Sequence, residues 1–107
     1  MTDLTLTLDD DYRTIELQPG SRITVRLPEN PTTGFRWHVD RIEGDVEQLD
    51  DSYEPGASPL IGGGGIRQFR FQFQGPGGAE IALKEWQPWE GESSVNNRFR
   101  AELVSLS

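Results

Sequence analysis

An all-β fold, an antiparallel β-sandwich of about seven or eight strands, is what this sequence predicts. Three observations carry the prediction. Apolar and polar residues alternate along most of the chain, no stretch of ten residues carries a 3.6-residue period, and Gly, Pro and Asp clusters break the runs at short spacing. Leu4, Leu6 and Leu8 form the first alternating set, Ile15 and Leu17 the second, and Ile23, Val25 and Leu27 the third. Phe35, Trp37 and Val39 then alternate with Arg36 and His38, and Phe69, Phe71 and Phe73 with Arg70 and Gln72. Ile81 and Leu83, then Phe99, Ala101 and Leu103, complete the series. Turn chemistry separates these runs at Asp9-Asp10-Asp11, Pro19-Gly20-Ser21, Glu43-Gly44-Asp45 and Gly75-Pro76-Gly77-Gly78.

Composition narrows what such a sandwich does. A chain of 107 residues and 12.0 kDa is expected to form one domain spanning 1–107, around one core. Acidic residues outnumber basic ones 18 to 10, and the resulting charge of -8 repels nucleic acid and anionic membranes alike. Neither is expected as a partner. No cysteine is present, so there is no disulfide framework, no thiolate nucleophile and no Cys-ligated metal. The first residues lack the basic and apolar pattern of an export signal, so the chain as it stands is expected in the cytoplasm, with export left open. A monomer is expected.

Three connections differ from the ordinary turns. In Asn30-Pro31-Thr32-Thr33-Gly34-Phe35, proline fixes its own φ and biases Asn30 towards extended backbone, two β-branched threonines restrict χ1, and Gly34 permits the reversal. Such a tip loses little entropy on binding, which suits recognition; the plain alternative is a proline turn between strands. The second connection is Pro59-Leu60-Ile61-Gly62-Gly63-Gly64-Gly65, whose bare backbone can pair with another protein's main chain or simply form a flexible surface loop. It lacks the Gly-Lys-Ser/Thr ending of a phosphate-binding loop. The third runs from Gln87-Pro88-Trp89 to Asn97, where Trp89 is either an exposed hot spot or an indole folded back over the sandwich end. A short strand around Tyr53 to Ala57 would make these the third, fifth and seventh connections, all at one end of the sandwich.

Taken together, Asn-Pro-Thr-Thr-Gly-Phe, then Gly62-Gly63-Gly64-Gly65, then the Pro88-Trp89 loop resemble, in order and spacing, the chagasin-type inhibitors of papain-like cysteine peptidases. The resemblance covers nearly the whole chain. It implies an immunoglobulin-like sandwich whose three loops enter a peptidase's active-site cleft as a wedge. Thr32 would lie against the catalytic Cys and His of the target, Gly62 to Gly65 would pair along the cleft wall, and Trp89 would pack on aromatic surface beside the catalytic His. The family has Arg-Pro-Trp or similar where this chain has Gln87-Pro88-Trp89, so a guanidinium and its planar fork of donors are missing.

Enzyme readings find less support. His38 is the only histidine and lies between Trp37 and Val39, in the setting of an outward-facing strand residue. Asp9-Asp10-Asp11 and Asp50-Asp51 lack the ligand spacing of a calcium loop and read as solvated turns. Glu80, Glu85, Glu90 and Glu92 supply carboxylates for glycoside hydrolysis if two of them converge, but nothing in the sequence selects a pair. No metal, no cofactor and no catalytic residue are expected. The reading is a reversible inhibitor of papain-like cysteine peptidases acting through Asn30 to Phe35, Gly62 to Gly65 and Gln87 to Trp89. The alternative is a structural or adhesive immunoglobulin-like module with a different ligand.

Overall fold

The computed structural model describes residues 3–55 and 64–106. Among these, eight strands form: β1 (Asp3–Leu6), β2 (Arg13–Leu17), β3 (Arg22–Glu29), β4 (Arg36–Gly44), β5 (Val46–Glu54), β6 (Gly65–Phe73), β7 (Ala79–Trp86) and β8 (Asn97–Ser105). They make two four-stranded sheets, ordered β1-β3-β6-β5 and β2-β8-β7-β4. Helical structure among the described residues is limited to short 3₁₀ turns at Leu8–Asp10, Pro31–Thr33, Pro88–Glu90 and Glu92–Ser94.

The period of two decides which side chains meet between the sheets. Ile23, Val25 and Leu27 of β3, Phe69, Phe71 and Phe73 of β6, Ile81 and Leu83 of β7, and Phe99, Ala101 and Leu103 of β8 are all buried. Leu6, Leu17 and Trp37 close this core, while Leu4, Leu8, Ile15 and Val39 pack against it half-buried. Burying a side chain of this size stabilises the fold by roughly 1.5–3 kcal/mol, so the aromatic row of β6 is a large share of the driving force.

Four expectations are corrected. The sheets are mixed, since β1 pairs parallel to β3 and β2 parallel to β8, although every other pairing is antiparallel. Chain direction still alternates strand by strand. Tertiary packing nevertheless sets two odd-numbered strands side by side in one sheet and two even-numbered ones in the other. The strand expected around Tyr53 to Ala57 is the longer β5, ending at Glu54; residues 56–57 lie outside the described residues. Phe35 precedes β4, half-buried in the connection. Asp50 and Asp51 lie inside β5 at a bulge, and Asp51 pairs with Arg67, so they are not a turn.

Asp10 and Asp11 hold the turn after β1. Asp10 accepts from the Thr7 amide at 2.9 Å and from Arg13 at 2.6 Å, and Asp11 accepts from the Arg100 amide at 2.8 Å. The candidate carboxylates of β7 do not converge. Glu80 lies on the outer face between Arg41 and Arg100, whereas Glu85 faces inward and accepts from Asn97 at 2.9 Å. Among the described residues no group of three or more His, Asp or Glu is placed to hold a metal ion.

The outer-face pairs predict how stability depends on pH. Hydrogen bonds from Arg41 and then Arg100 hold the Glu80 carboxyl below its ordinary value, and Lys84 does the same for Glu92. A carboxyl lowered on folding contributes stability above its unfolded value, near 4.5, and that contribution disappears as pH falls through the folded value. The thermal midpoint should therefore hold steady on the neutral side and fall below about pH 5. Glu80→Gln should lower the neutral midpoint and flatten the acid limb; an acid limb unchanged by the substitution would assign it to other groups.

Candidate functional site

Strand register brings the three unusual connections to one end. Glu29 lies opposite Gly65 and Glu54 opposite Ile66, so the β3–β4 and β5–β6 connections leave the first sheet together. Arg36 lies opposite Trp86 and Glu85 opposite Asn97, so β4 begins at the end where β7 turns into β8. Of the glycine motif, Gly64 and Gly65 stand at this end, while Gly62 and Gly63 lie outside the described residues.

Asn30 organises the first loop. Its side-chain oxygen accepts from the Thr32 amide at 3.1 Å and the Thr32 hydroxyl at 2.7 Å, and its main-chain carbonyl accepts from the Thr33 hydroxyl at 2.8 Å. The Thr33 hydroxyl also accepts from the Phe35 amide at 3.3 Å. These bonds wind Pro31–Thr33 into a single 3₁₀ turn, leaving Thr32 and Thr33 exposed at the tip. Gly34 follows with φ +78°, a left-handed conformation that costs an L side chain about 1–2 kcal/mol.

The third loop braces itself and the first. Pro88 opens a 3₁₀ turn, Gly91 reverses the chain at φ +78°, and the Ser94 hydroxyl accepts from the Gln87 amide at 2.9 Å. On the outer face Lys84 pairs with Glu92 and sits 3.6 Å from the centre of the Trp86 ring, whose Nε1–H donates to His38 Nδ1 at 3.0 Å. His38 is thus an exposed strand residue with a structural partner, as its sequence setting predicts.

Two contacts join the loops into one body. The Gln87 side-chain amide donates to the Thr33 carbonyl at 3.1 Å, across 54 residues of sequence. The Trp89 ring lies over Gly34, so closely that a methyl added there would stand 2.6 Å from it, yet Trp89 remains 67% exposed. One edge of the indole thus folds back on the first loop and the rest faces solvent. Gly64 comes up against the same loop, where an added methyl would stand 3.1 Å from the Glu29 carbonyl oxygen. Between them is an open groove of about 650 Å³ lined by Pro28, Asn30, Phe35, Gly64, Glu85 and Asn96, among others.

Sequence reasoning missed the residues beneath the loops. Glu29 is buried and accepts from the Trp37 amide at 2.7 Å and from Arg67 Nη2 at 2.8 Å. Arg67 reaches Asp51 at 3.1 Å, and its guanidinium carbon lies 5.5 Å from the centre of the Tyr53 ring. The readable signal was slight: Glu29 and Arg67 continue the inward phase of Leu27 and Phe69, a position where a charge is unexpected without a partner.

Comparison with known proteins gives the same picture. Residues 16–103 match the model of the chagasin family of peptidase inhibitors, I42. Chagasin of Trypanosoma cruzi is 31% identical over 98 residues, covering 84% of this chain and 86% of its own. The crystal structure of the Entamoeba histolytica cysteine protease inhibitor EhICP2 superposes with a TM-score of 0.86 at 22% identity, over 98% of this chain and 97% of its own. PbICP-C, solved in complex with falcipain-2, superposes with a TM-score of 0.73 at 15% identity, over 99% and 100% of the two chains. With most of its length matched by the family model and a relative 31% identical, the chain belongs to the chagasin family of peptidase inhibitors.

Proposed function

We propose that this chain inhibits papain-like cysteine peptidases reversibly, by inserting the loop end of the sandwich into the active-site cleft. Members of its family are inhibitors and not enzymes, and a relative of the same fold is bound to falcipain-2. The observation that carries the reading is the bracing of the loops. Thr32 stands at an exposed tip, Trp89 offers an exposed indole seated on Gly34, and Gln87 ties the two loops together. A surface fixed before binding loses little entropy on binding, and an exposed aromatic beside a rigid tip supplies the anchor. In this reading Asn30 to Phe35 face the catalytic Cys and His, Gly62 to Gly65 follow one wall, and Gln87 to Trp89 follow the other. The tip is wound into a turn, so it presents no extended peptide bond to the nucleophile.

Titrating the protein against active-site-counted papain with a fluorogenic substrate tests this. Stoichiometric loss of activity, recovered on dilution with the inhibitor uncleaved, is expected. No effect on papain or on several other papain-like enzymes would favour the binding module instead.

The structure also changes what is expected of Gln87. Its side-chain amide is already used within the molecule, so Gln87→Ala should loosen the first loop against the third, leaving the Trp89 contact with Gly34, and raise koff several-fold, by roughly the 1 kcal/mol of a neutral hydrogen bond. Gln87→Arg keeps a donor for the Thr33 carbonyl and adds charge, so its koff should stay at or below that of the parent. Stopped-flow rates for the three proteins decide it; equal koff for all of them would remove Gln87 from the loop-bracing role.

A further inference from the structure

The inward-facing positions of β3 run Ile23, Val25, Leu27 and then Glu29; those of β6 run Phe73, Phe71, Phe69 and then Arg67. Among the described residues, these two inward rows thus end, at the loop end, in a buried carboxylate and a guanidinium. Glu29 is 3% exposed and the Arg67 side chain 17%. Stability alone does not account for this choice, because replacing a buried ion pair by apolar groups of similar size is often neutral or stabilising. Direction is what the pair adds. Apolar contact is non-directional, whereas a guanidinium fork on a carboxylate fixes both distance and orientation.

The bonds of the pair fall on the feet of the loops. Glu29, the last residue of β3, accepts from the amide of Trp37 at 2.7 Å, and the Trp37 indole donates back to the Pro28 carbonyl at 2.9 Å. The chain is therefore clamped on both sides of residues 30–36. Arg67 places Nε and Nη2 on Glu29 at 3.1 and 2.8 Å and Nη1 on Asp51 at 3.1 Å, with Tyr53 beneath its guanidinium. Asp51 and Tyr53 belong to β5 and Arg67 to β6, the two stems of the connection at 55–64. One guanidinium thus joins the foot of the first loop to both stems of the second.

We propose that Glu29 and Arg67 are positioning residues of the inhibitory surface, holding the first loop at a fixed separation from the stems of the second, so that the first loop meets the peptidase already ordered. This rests on the reading of the loop end as the inhibitory surface. Neither side chain touches the target. Their effect on affinity passes through the loops, as ordering completed before binding.

The test is the double variant Glu29→Gln with Arg67→Met. The introduced amide still offers an oxygen to the Trp37 N–H, while the fork that links β3, β5 and β6 is gone. Its thermal midpoint should stay within a few degrees of the parent, and ¹⁵N relaxation should show lower order parameters at Thr32, Thr33, Gly34 and Gly64. Against papain its Ki should rise about tenfold through a faster koff, with a less favourable binding entropy. Unchanged order parameters and Ki in the folded variant would overturn the proposal. Should the double variant not fold, Arg67→Lys carries the test, since it keeps the cation and loses only the fork; the same loss of loop order and affinity is expected, and parental values would overturn it. Parent protein that fails to inhibit any papain-like enzyme would instead sink the inhibitory reading, and the relaxation data would still judge the positioning of the loops.

Discussion

Trp89→Ala should weaken inhibition of a papain-like peptidase by about 2 kcal/mol or more, close to thirtyfold in Ki, while leaving the thermal midpoint almost unchanged. The two halves of this expectation have separate causes. With 67% of Trp89 exposed in the free protein, its truncation removes little packing from the fold. In the complex the same indole would be desolvated against the target, where aromatic residues contribute most. Inhibition constants and thermal scans on one preparation check both halves. A large fall in midpoint with preserved affinity would make Trp89 part of the scaffold and remove it from the binding surface.

Gly34→Ala should weaken inhibition to a comparable degree by a different route. The added methyl would meet the Trp89 ring at 2.6 and 2.9 Å, and the backbone there is left-handed at φ +78°. The exposed indole can swing away from the methyl, but it then leaves its seat beside the tip. The backbone conformation costs a further 1–2 kcal/mol or so, which lowers the midpoint modestly or reshapes the tip. A double-mutant cycle with Trp89→Ala gives the decisive measurement. The two substitutions should be clearly less than additive, since each removes the same seated indole. Additive losses would mean that Gly34 and Trp89 act independently, and that the contact between the loops is not what presents the anchor.

Much of the fold is legible in the sequence because its signals are local. Phe69, Phe71 and Phe73 announce a half-buried strand through their spacing alone, and Glu43-Gly44-Asp45 marks the break between β4 and β5. The first loop is legible for the same reason, since Asn30, Pro31 and Gly34 each restrict or permit particular backbone angles at their own positions. Even the convergence of the three loops follows from short connections that reverse the chain each time. Phe35 is misplaced because an apolar residue next to a strand continues its alternation whether or not the backbone has yet entered the sheet.

Strand content, the reversing order of the strands, the chemistry of the loop tips and the family resemblance can all be read from the residues in chain order. Tertiary structure alone decided that β1 lies beside β3 and β2 beside β8, that Gln87 reaches Thr33, that Trp89 rests on Gly34, and that Glu29 meets Arg67. The division has a physical basis. Side-chain alternation and turn angles are set within a few residues and are written in neighbouring positions. Strand partners and buried ion pairs join positions far apart in sequence, through contacts that exist only once the sheets have closed on each other.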